Sequence, residues 1–385
     1  MERFDVAIIG AGPAGSSAAW RLARAGARVA ILDGSHPREK PCGGGVTGRA
    51  LEVVRDALDG AALEVAEIRG ASFEDGSRAV RVAFEDPPSR RPDLVVASRE
   101  QFDAALLSAA HNAGARHIAA RVIDVVRDAN EWQVTTRDGS VRAGWLLGAD
   151  GANSLVRRRV SHPFARADLS IATGFYVRGV SSPDIAIAFE RNPPGYLWSF
   201  PRRDHLAVGV CAQADESSTA SLLPLASRWI ARNVAGSHAL ERYSWPIPSL
   251  REATARREVP AGPGWMLLGD AAGMVDPITR EGIFFALLSA DVAASCLIDG
   301  GAEPALRYAT RIRSTIYDEL VRAARLKARF FSPGFTALLV RALERSAAIR
   351  NVMIDLVAGR QPYRGLRRRL LATMELKLMI DLLTE

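Results

Sequence analysis

Apolar positions along the chain fall into two rhythms. Short unbroken runs that stop at glycine or an acid occur at 6–9, 29–32, 145–147 and 265–268, and predict buried strands, the last of them central in its sheet. A helix rich in small residues fills the gap between the first two runs and ends near Gly26. Helical spacing of apolar residues recurs from Phe102 to about Gly114, from 283 to 297, and through 303–385. Elsewhere short strands alternate with turns. Residues 71–84 predict a hairpin around Asp75-Gly76. Pro87, Pro88 and Pro92 then mark an irregular connection. Residues 117–147 predict a three-stranded meander followed by a buried strand, with turns at Ala129-Asn130 and Asp138-Gly139. From about 165 to 255 the strands 171–180, 185–190 and 205–212 are separated by Pro and Gly, which predicts a mostly antiparallel sheet. Pro333-Gly334 and Gln361-Pro362 divide the last region into three or four helices, the final one at 366–383.

These elements predict an α/β chain. A Rossmann-like nucleotide-binding domain takes 1–70, 93–164 and 256–302. An interleaved, mostly antiparallel β-sheet domain for substrate takes 71–92 and 165–255, and 303–385 forms a helical C-terminal region.

The turn after the first strand carries the chemistry. Gly10, Gly12 and Gly15 stand in the spacing GxGxxG, with Pro13 and Ala14 opening the helix. Gly10 permits a tight turn, Gly12 lets backbone approach a pyrophosphate, and Gly15 lets helix and strand pack closely. The helix N-terminus offers free N–H groups and a positive dipole end to phosphates. Asp33, at the end of the second strand, is placed to accept hydrogen bonds from ribose hydroxyls.

Composition narrows the setting. The chain has 385 residues, 48% of them hydrophobic, ample for a large core. Cys42, Cys211 and Cys296 are far apart, with no CxxC pair, which predicts a reducing, cytoplasmic location. The first strand follows Met1 too closely to leave room for a signal peptide, and no apolar run reaches the ~20 residues of a membrane span. Neither a metal-ligand pattern nor a nucleic-acid-binding motif is present in the sequence. Net charge is +7, and residues 319–385 hold 13 Lys/Arg against 6 Asp/Glu, so the whole excess can be placed in the tail. A basic, leucine-rich tail predicts a peripheral site on an anionic membrane surface, at its inner face, or an acidic partner; a solvated helical face is the alternative. Oligomeric state is not legible.

Two later stretches select the dinucleotide. An apolar run leads into Asp150-Gly151, and another leads into Gly269-Asp270, followed by Pro277 and Gly282. With the glycine loop, these resemble the three fingerprints of the FAD-dependent hydroxylase and reductase superfamily (the p-hydroxybenzoate hydroxylase-like proteins). The resemblance implies FAD, held without a covalent bond. It puts Asp270 at the ribityl chain and the helix after Gly282 and Ile283 against the pyrimidine edge of the flavin. It also implies cofactor contacts from Arg99 and Val122.

Two further motifs resemble the geranylgeranyl reductase family. One is Pro41 to Val46 (PCGGGV), which leads into a helix from Val46. The other is Tyr196 to Pro201 (YLWSFP). The resemblance covers roughly residues 1–300. It implies that Cys42, Gly43, Gly44 and Gly45 run along the flavin, with the cysteine near the ring. Alternation on a strand sends Tyr196, Trp198 and Phe200 to one face, a broad apolar wall. The family puts that wall along the substrate cavity. The implied activity is saturation of carbon–carbon double bonds in a prenyl lipid. Cys42 is the first candidate proton donor and Tyr196 the second. Only one nucleotide fingerprint is present, so either NAD(P)H docks transiently or a ferredoxin-like donor replaces it. The family has Thr-Gly-Glu-Gly-Ile where this chain has Thr279-Arg280-Glu281-Gly282-Ile283, a cation for a substrate phosphate or a reductant. A monooxygenase or halogenase on the same fold is the first alternative, although the Trp-x-Trp-x-Ile-Pro stretch of halogenases is missing. A non-catalytic lipid or quinone binder that keeps FAD structurally is the second.

Overall fold

The first strand, Glu2–Ile9, lies inside the main sheet. It pairs in parallel with Ser140–Gly148, where Ile8 sits opposite Leu147, and with Val29–Leu32, where Ile8 sits opposite Ile31. The computed structural model describes residues 1–76, 78–84 and 92–373. Along the main sheet the strands run Ala261–Gly262, Trp265–Leu267, Ser140–Gly148, Glu2–Ile9, Val29–Leu32 and Arg116–Ile118. The helix Pro13–Arg24 packs between Arg99–Asn112 and Ile283–Ile298. Ala7, Ile8, Ala30 and Ile31 are consequently closed off from water on both faces of the sheet.

Several expectations change here. Trp265–Leu267 is not central: the chain turns back at once through Pro263 and Gly264, so its outer neighbour is a two-residue strand. The meander and the buried strand are not separate. Ser140–Gly148 has nine residues, enough to take Glu131–Thr136 along its first half and Trp265–Leu267 along its second. Arg99 lies within a helix that begins there, capped by the Ser98 hydroxyl, which accepts from the Gln101 N–H. The helix after the CGGG loop starts at Gly48, because Gly45–Thr47 pairs first as a strand with Leu94–Ala97.

The second sheet has seven strands, ordered Leu240–Pro248, Leu169–Arg178, His205–Gln213, Pro194–Pro201, Asp184–Arg191, Gly70–Asp75 and Arg78–Ala83. All its pairs are antiparallel except Asp184–Arg191 with Gly70–Asp75. The helix Thr219–Asn233 covers one face through Leu222, Ala226 and Trp229. The other face meets Ile278 and the C-terminal helices through Phe331, Leu343 and Met353.

Among the described residues the C-terminal region has four helical stretches, within the three or four expected: Pro304–Ile312 runs through a π turn at Arg313–Tyr317 into Asp318–Phe330, and Pro333–Arg345, Ala347–Val357 and Leu366–Ala372 follow. Pro333 opens a helix at the position where a missing N–H costs nothing. An unforeseen break falls at Ser346, whose hydroxyl caps the next helix at the Ile349 N–H. The expected helix at 366–383 passes outside the described residues after 373, as do Ser77 of the hairpin and the connection at Pro87 and Pro88. Among the described residues no helix is long and apolar enough to cross a membrane.

Candidate active site

Steric contact shapes the glycine loop. A Cβ on Gly10, which has φ +102°, would lie 2.7 Å from the Ala149 carbonyl carbon, and one on Gly15 would lie 3.0 Å from the Gly10 carbonyl carbon. The helix from Pro13 has no side-chain cap and no acid in its first turn, so no side chain takes up its first N–H groups or offsets its dipole. Beside it, Asp33 accepts from the Ala11 N–H at 2.9 Å and from the Ser35 N–H at 2.7 Å. Its Oδ2 is also 2.8 Å from His36 Nδ1. His36 Nε2 lies 3.3 Å from Asp103, and Asp103 grips Arg99 through two hydrogen bonds at 2.9 and 2.7 Å. Four alternating charges thus run under the loop. Burial pushes the Asp33 carboxyl up, but the hydrogen bond and charge of His36 outweigh it and hold it below the usual range. Burial pushes His36 down, and the two carboxylates outweigh that, so it is held above its ordinary 6.5. Arg99, buried and tied to Asp103, still reaches the cavity wall. Val122 starts the strand Val122–Asp128 away from the cavity, next to Arg121, whose backbone touches that of Gly34.

Asp150 is taken up locally: it accepts from the Ser154 hydroxyl and from the Leu155 and Val156 N–H groups, capping Leu155–Val160. Burial holds its carboxyl above the ordinary range. Neither Asp150 nor Gly151 lines the cavity, whereas Asp270 does, with Lys40 Nζ at 3.1 Å. Gly269 has φ +52° and packs on Ala286, and Pro277 is buried behind the wall. After Gly282 the helix Ile283–Ile298 begins with no side-chain cap and no acid in its first turn. Two open helix N-termini, a loop without room for a Cβ and an acid at each end fit an extended dinucleotide bearing a ring.

One cavity runs from this region into the second sheet. Pro13, Cys42, Asp270 and Gly282 line one end, and Phe189, Phe330, Met353 and Leu356 the other. Tyr196, Trp198 and Phe200 line it together. Phe200 rests on the CGGG loop, its ring 3.2 Å from where a Gly43 Cβ would stand. The Cys42 sulfur accepts from the Gly44 N–H at 3.3 Å. Arg202 holds the loop from beneath: only 3% exposed, it reaches the Cys42 carbonyl at 3.2 Å, Glu39 at 3.1 Å and the Ala97 carbonyl. The Tyr196 hydroxyl donates to the Thr279 carbonyl at 2.9 Å, so its proton is committed. The Tyr243 hydroxyl on the same wall is buried with no hydrogen-bond acceptor among the described residues. Burial pushes both phenols well up.

Sequence reasoning did not single out Tyr243, Trp245 or Ile247. Their signal is the same i, i+2, i+4 alternation that marks 196, 198 and 200, and all three line the cavity. Arg202, Lys40 and the C-terminal Phe331 carry no such pattern.

A profile of the FAD binding domain family matches residues 3–288. Menaquinone reductase from Mycolicibacterium smegmatis is 30% identical, with 93% of this chain and 92% of that protein aligned. The chain belongs to this FAD-binding family. It is an FAD-dependent oxidoreductase of the geranylgeranyl reductase-like kind. Digeranylgeranylglycerophospholipid reductase from Methanothrix thermoacetophila is also 30% identical, over 85% of this chain and 88% of its own. Among solved structures, a geranylgeranyl bacteriochlorophyll reductase-like protein from Thermoplasma acidophilum superposes with a TM-score of 0.79 at 23% identity, covering 97% of this chain and all of that one. The α/β class, with an FAD-binding part, a second sheet and a helical C-terminal region, is the expected one.

Proposed function

We propose that the protein saturates carbon–carbon double bonds of a prenyl lipid chain. The observation that carries this reading is one continuous cavity, which joins the flavin cradle to an apolar space walled by Trp198, Phe200, Phe331 and Met353. Relatives named for reducing digeranylgeranylglycerophospholipid and menaquinone support reduction of a lipid substrate.

In this reading Gly10, Gly12, Pro13, Ala14, Gly15 and Asp33 hold the adenosine and phosphate part of FAD. Asp270 and the helix start at Gly282 and Ile283 hold the ribityl chain and ring. Bound FAD, once reduced, supplies a hydride to one alkene carbon. The rings of Tyr196, Trp198 and Phe200 lie along the chain and keep water out. A proton must reach the second carbon, and Cys42, on the loop that lines the flavin end of the cavity, is the first candidate donor. The Tyr243 hydroxyl keeps its proton through burial but sits against the sheet at Gly209 with no exposed surface, and Tyr196 is bound to Thr279. Electrons come from a transiently docked donor, NAD(P)H or a ferredoxin-like protein. The exposed Arg364, Arg367 and Arg368 begin a basic segment that holds the enzyme on an anionic membrane. Equal, salt-independent sedimentation with anionic vesicles by the full chain and by one ending at 363 would refute that last point.

The main test is anaerobic. Dithionite-reduced holoenzyme is mixed with geranylgeranyl phospholipid, quinone and diphosphate, and products are weighed for gains of two hydrogens per bond. Product that is absent here and forms only when air is admitted, with oxygen uptake, makes the enzyme a monooxygenase. Reduced flavin that no alkene reoxidises makes it a binder.

A further inference from the structure

Arg280 occupies backbone that side chains rarely adopt. With φ 62° it is one of three non-glycine residues at positive φ among those described, at a position where the resembling family has glycine. Its side chain lines the cavity and its Nη1 donates to the Ser249 hydroxyl, while its Nε is buried with no partner among the described residues. A second cation converges on the same hydroxyl. Lys327 Nζ donates to Ser249 Oγ at 2.9 Å and to Gln213 Oε1.

Among the described residues neither cation has a carboxylate at ion-pair distance. The acids that act on Lys327 are Asp215 and Glu216, which raise its pKa only as distant charges, and Cys211 acts in the same sense. Asp276, near Arg280, already accepts from the Ile278 and Thr279 N–H groups and from the Tyr363 hydroxyl. Burial, then the Arg280 charge, push Lys327 down to about 7. Two like charges drawn together on one hydroxyl repel each other, and an anion between them would remove that cost.

We propose that Arg280 and Lys327 form a binding site for a phosphoryl group at the margin of the cavity. A phosphoryl group offers several charged oxygens, enough for the guanidinium fork, the ammonium and the Ser249 hydroxyl at once. The place suits the polar end of a long ligand. Lys327 stands one helical turn before Phe330 and Phe331, which line the apolar part, and Arg280 follows Thr279, which binds Tyr196. Two sources carry this chemistry: the phosphate end of a prenyl substrate, and the 2′-phosphate of NADPH. The choice between them rests on the reading in the preceding subsection; the site itself does not.

The test is calorimetric titration of the oxidised holoenzyme with inorganic pyrophosphate, for wild type, Arg280→Gly and Lys327→Gln, each checked for full FAD content. Arg280→Gly restores the residue that suits this backbone, so it keeps the fold while removing the cation. Saturable binding is expected in wild type, weakened at least tenfold in each variant. Wild-type affinity should also fall between pH 6.5 and 8.5 as Lys327 loses its proton, and Lys327→Gln should lack that step. No saturable binding, or equal affinity in all three proteins, overturns the site. Two further arms compare geranylgeranyl diphosphate with geranylgeraniol as oxidant and NADPH with NADH as reductant. The pair whose discrimination Arg280→Gly abolishes identifies the source. If pyrophosphate binding is lost in the variants but no prenyl compound reoxidises the wild-type flavin, the site stands and the prenyl-reductase reading falls. If wild type saturates prenyl chains but ignores pyrophosphate, the reading stands and the site falls.

Discussion

Gly209→Ala adds one methyl group at the centre of the aromatic wall. Gly209 pairs with Trp198 on one side and with Gly174 on the other, and Gly174 pairs in turn with Tyr243. The two glycines form a trough across which the Trp198 ring and the Tyr243 hydroxyl lie. A Cβ at 209 would stand 2.6 Å from Trp198 Cε2 and 2.5 Å from the Tyr243 hydroxyl oxygen. Carbon atoms rest at ~3.5–4.0 Å, so the ring must shift by roughly 1 Å, away from the sheet and into the cavity. Overpacking of this kind costs ~1–3 kcal/mol of stability. A misplacement of about 1 Å near the reacting atoms can slow chemistry by ~100-fold. The glycine loop of the nucleotide cradle belongs to the other sheet. Three measurements follow on one preparation: FAD content, reduction by dithionite, and anaerobic reoxidation by the best prenyl substrate of the wild type. The first two should match wild type and the third should fall at least tenfold. Unchanged reoxidation would mean that the wall does not position the substrate. Loss of FAD together with reoxidation would mean that Trp198 supports the fold as a whole.

Asp270→Ala should reduce FAD retention after gel filtration far more than Asp299→Ala, an exposed control. Losing a buried hydrogen-bonding partner costs ~1–3 kcal/mol, and the change also strips Lys40 of its ion pair. Equal FAD content in the two variants would remove Asp270 from the cofactor site. His36, held above 6.5 between Asp33 and Asp103, contributes stability that is complete below about pH 6.5 and is lost as pH rises through its raised folded value. Urea unfolding of wild type should therefore weaken on going from pH 6 to pH 9 relative to His36→Gln, and parallel profiles for the two proteins would contradict the charge chain.

What the sequence determined by itself was local. The positive φ at Gly10 and the contact of Gly15 with the Gly10 carbonyl act over a few residues, and so do the apolar runs that become central strands and the alternation at 196, 198 and 200. Such signals need no knowledge of what packs across from them. The resemblance at PCGGGV and YLWSFP extended this reach to a cofactor and a class of chemistry. The tertiary structure decided what remote pieces do to one another. Arg202 clamps Cys42 across 160 positions, and Tyr363 reaches Asp276 across 87. The C-terminal helices close the cavity with Phe330, Phe331 and Met353, a role their own helical spacing does not distinguish from an ordinary core. Asp150 shows the limit most plainly. A carboxylate just before a short helix is claimed by the nearest free N–H groups, and only the geometry shows that this has happened. The same holds for Arg280 and Lys327. Arg280 stands out in the sequence only against the family's glycine and Lys327 not at all, and their meeting on one hydroxyl depends on how a helix docks against a sheet edge, which no local rule specifies.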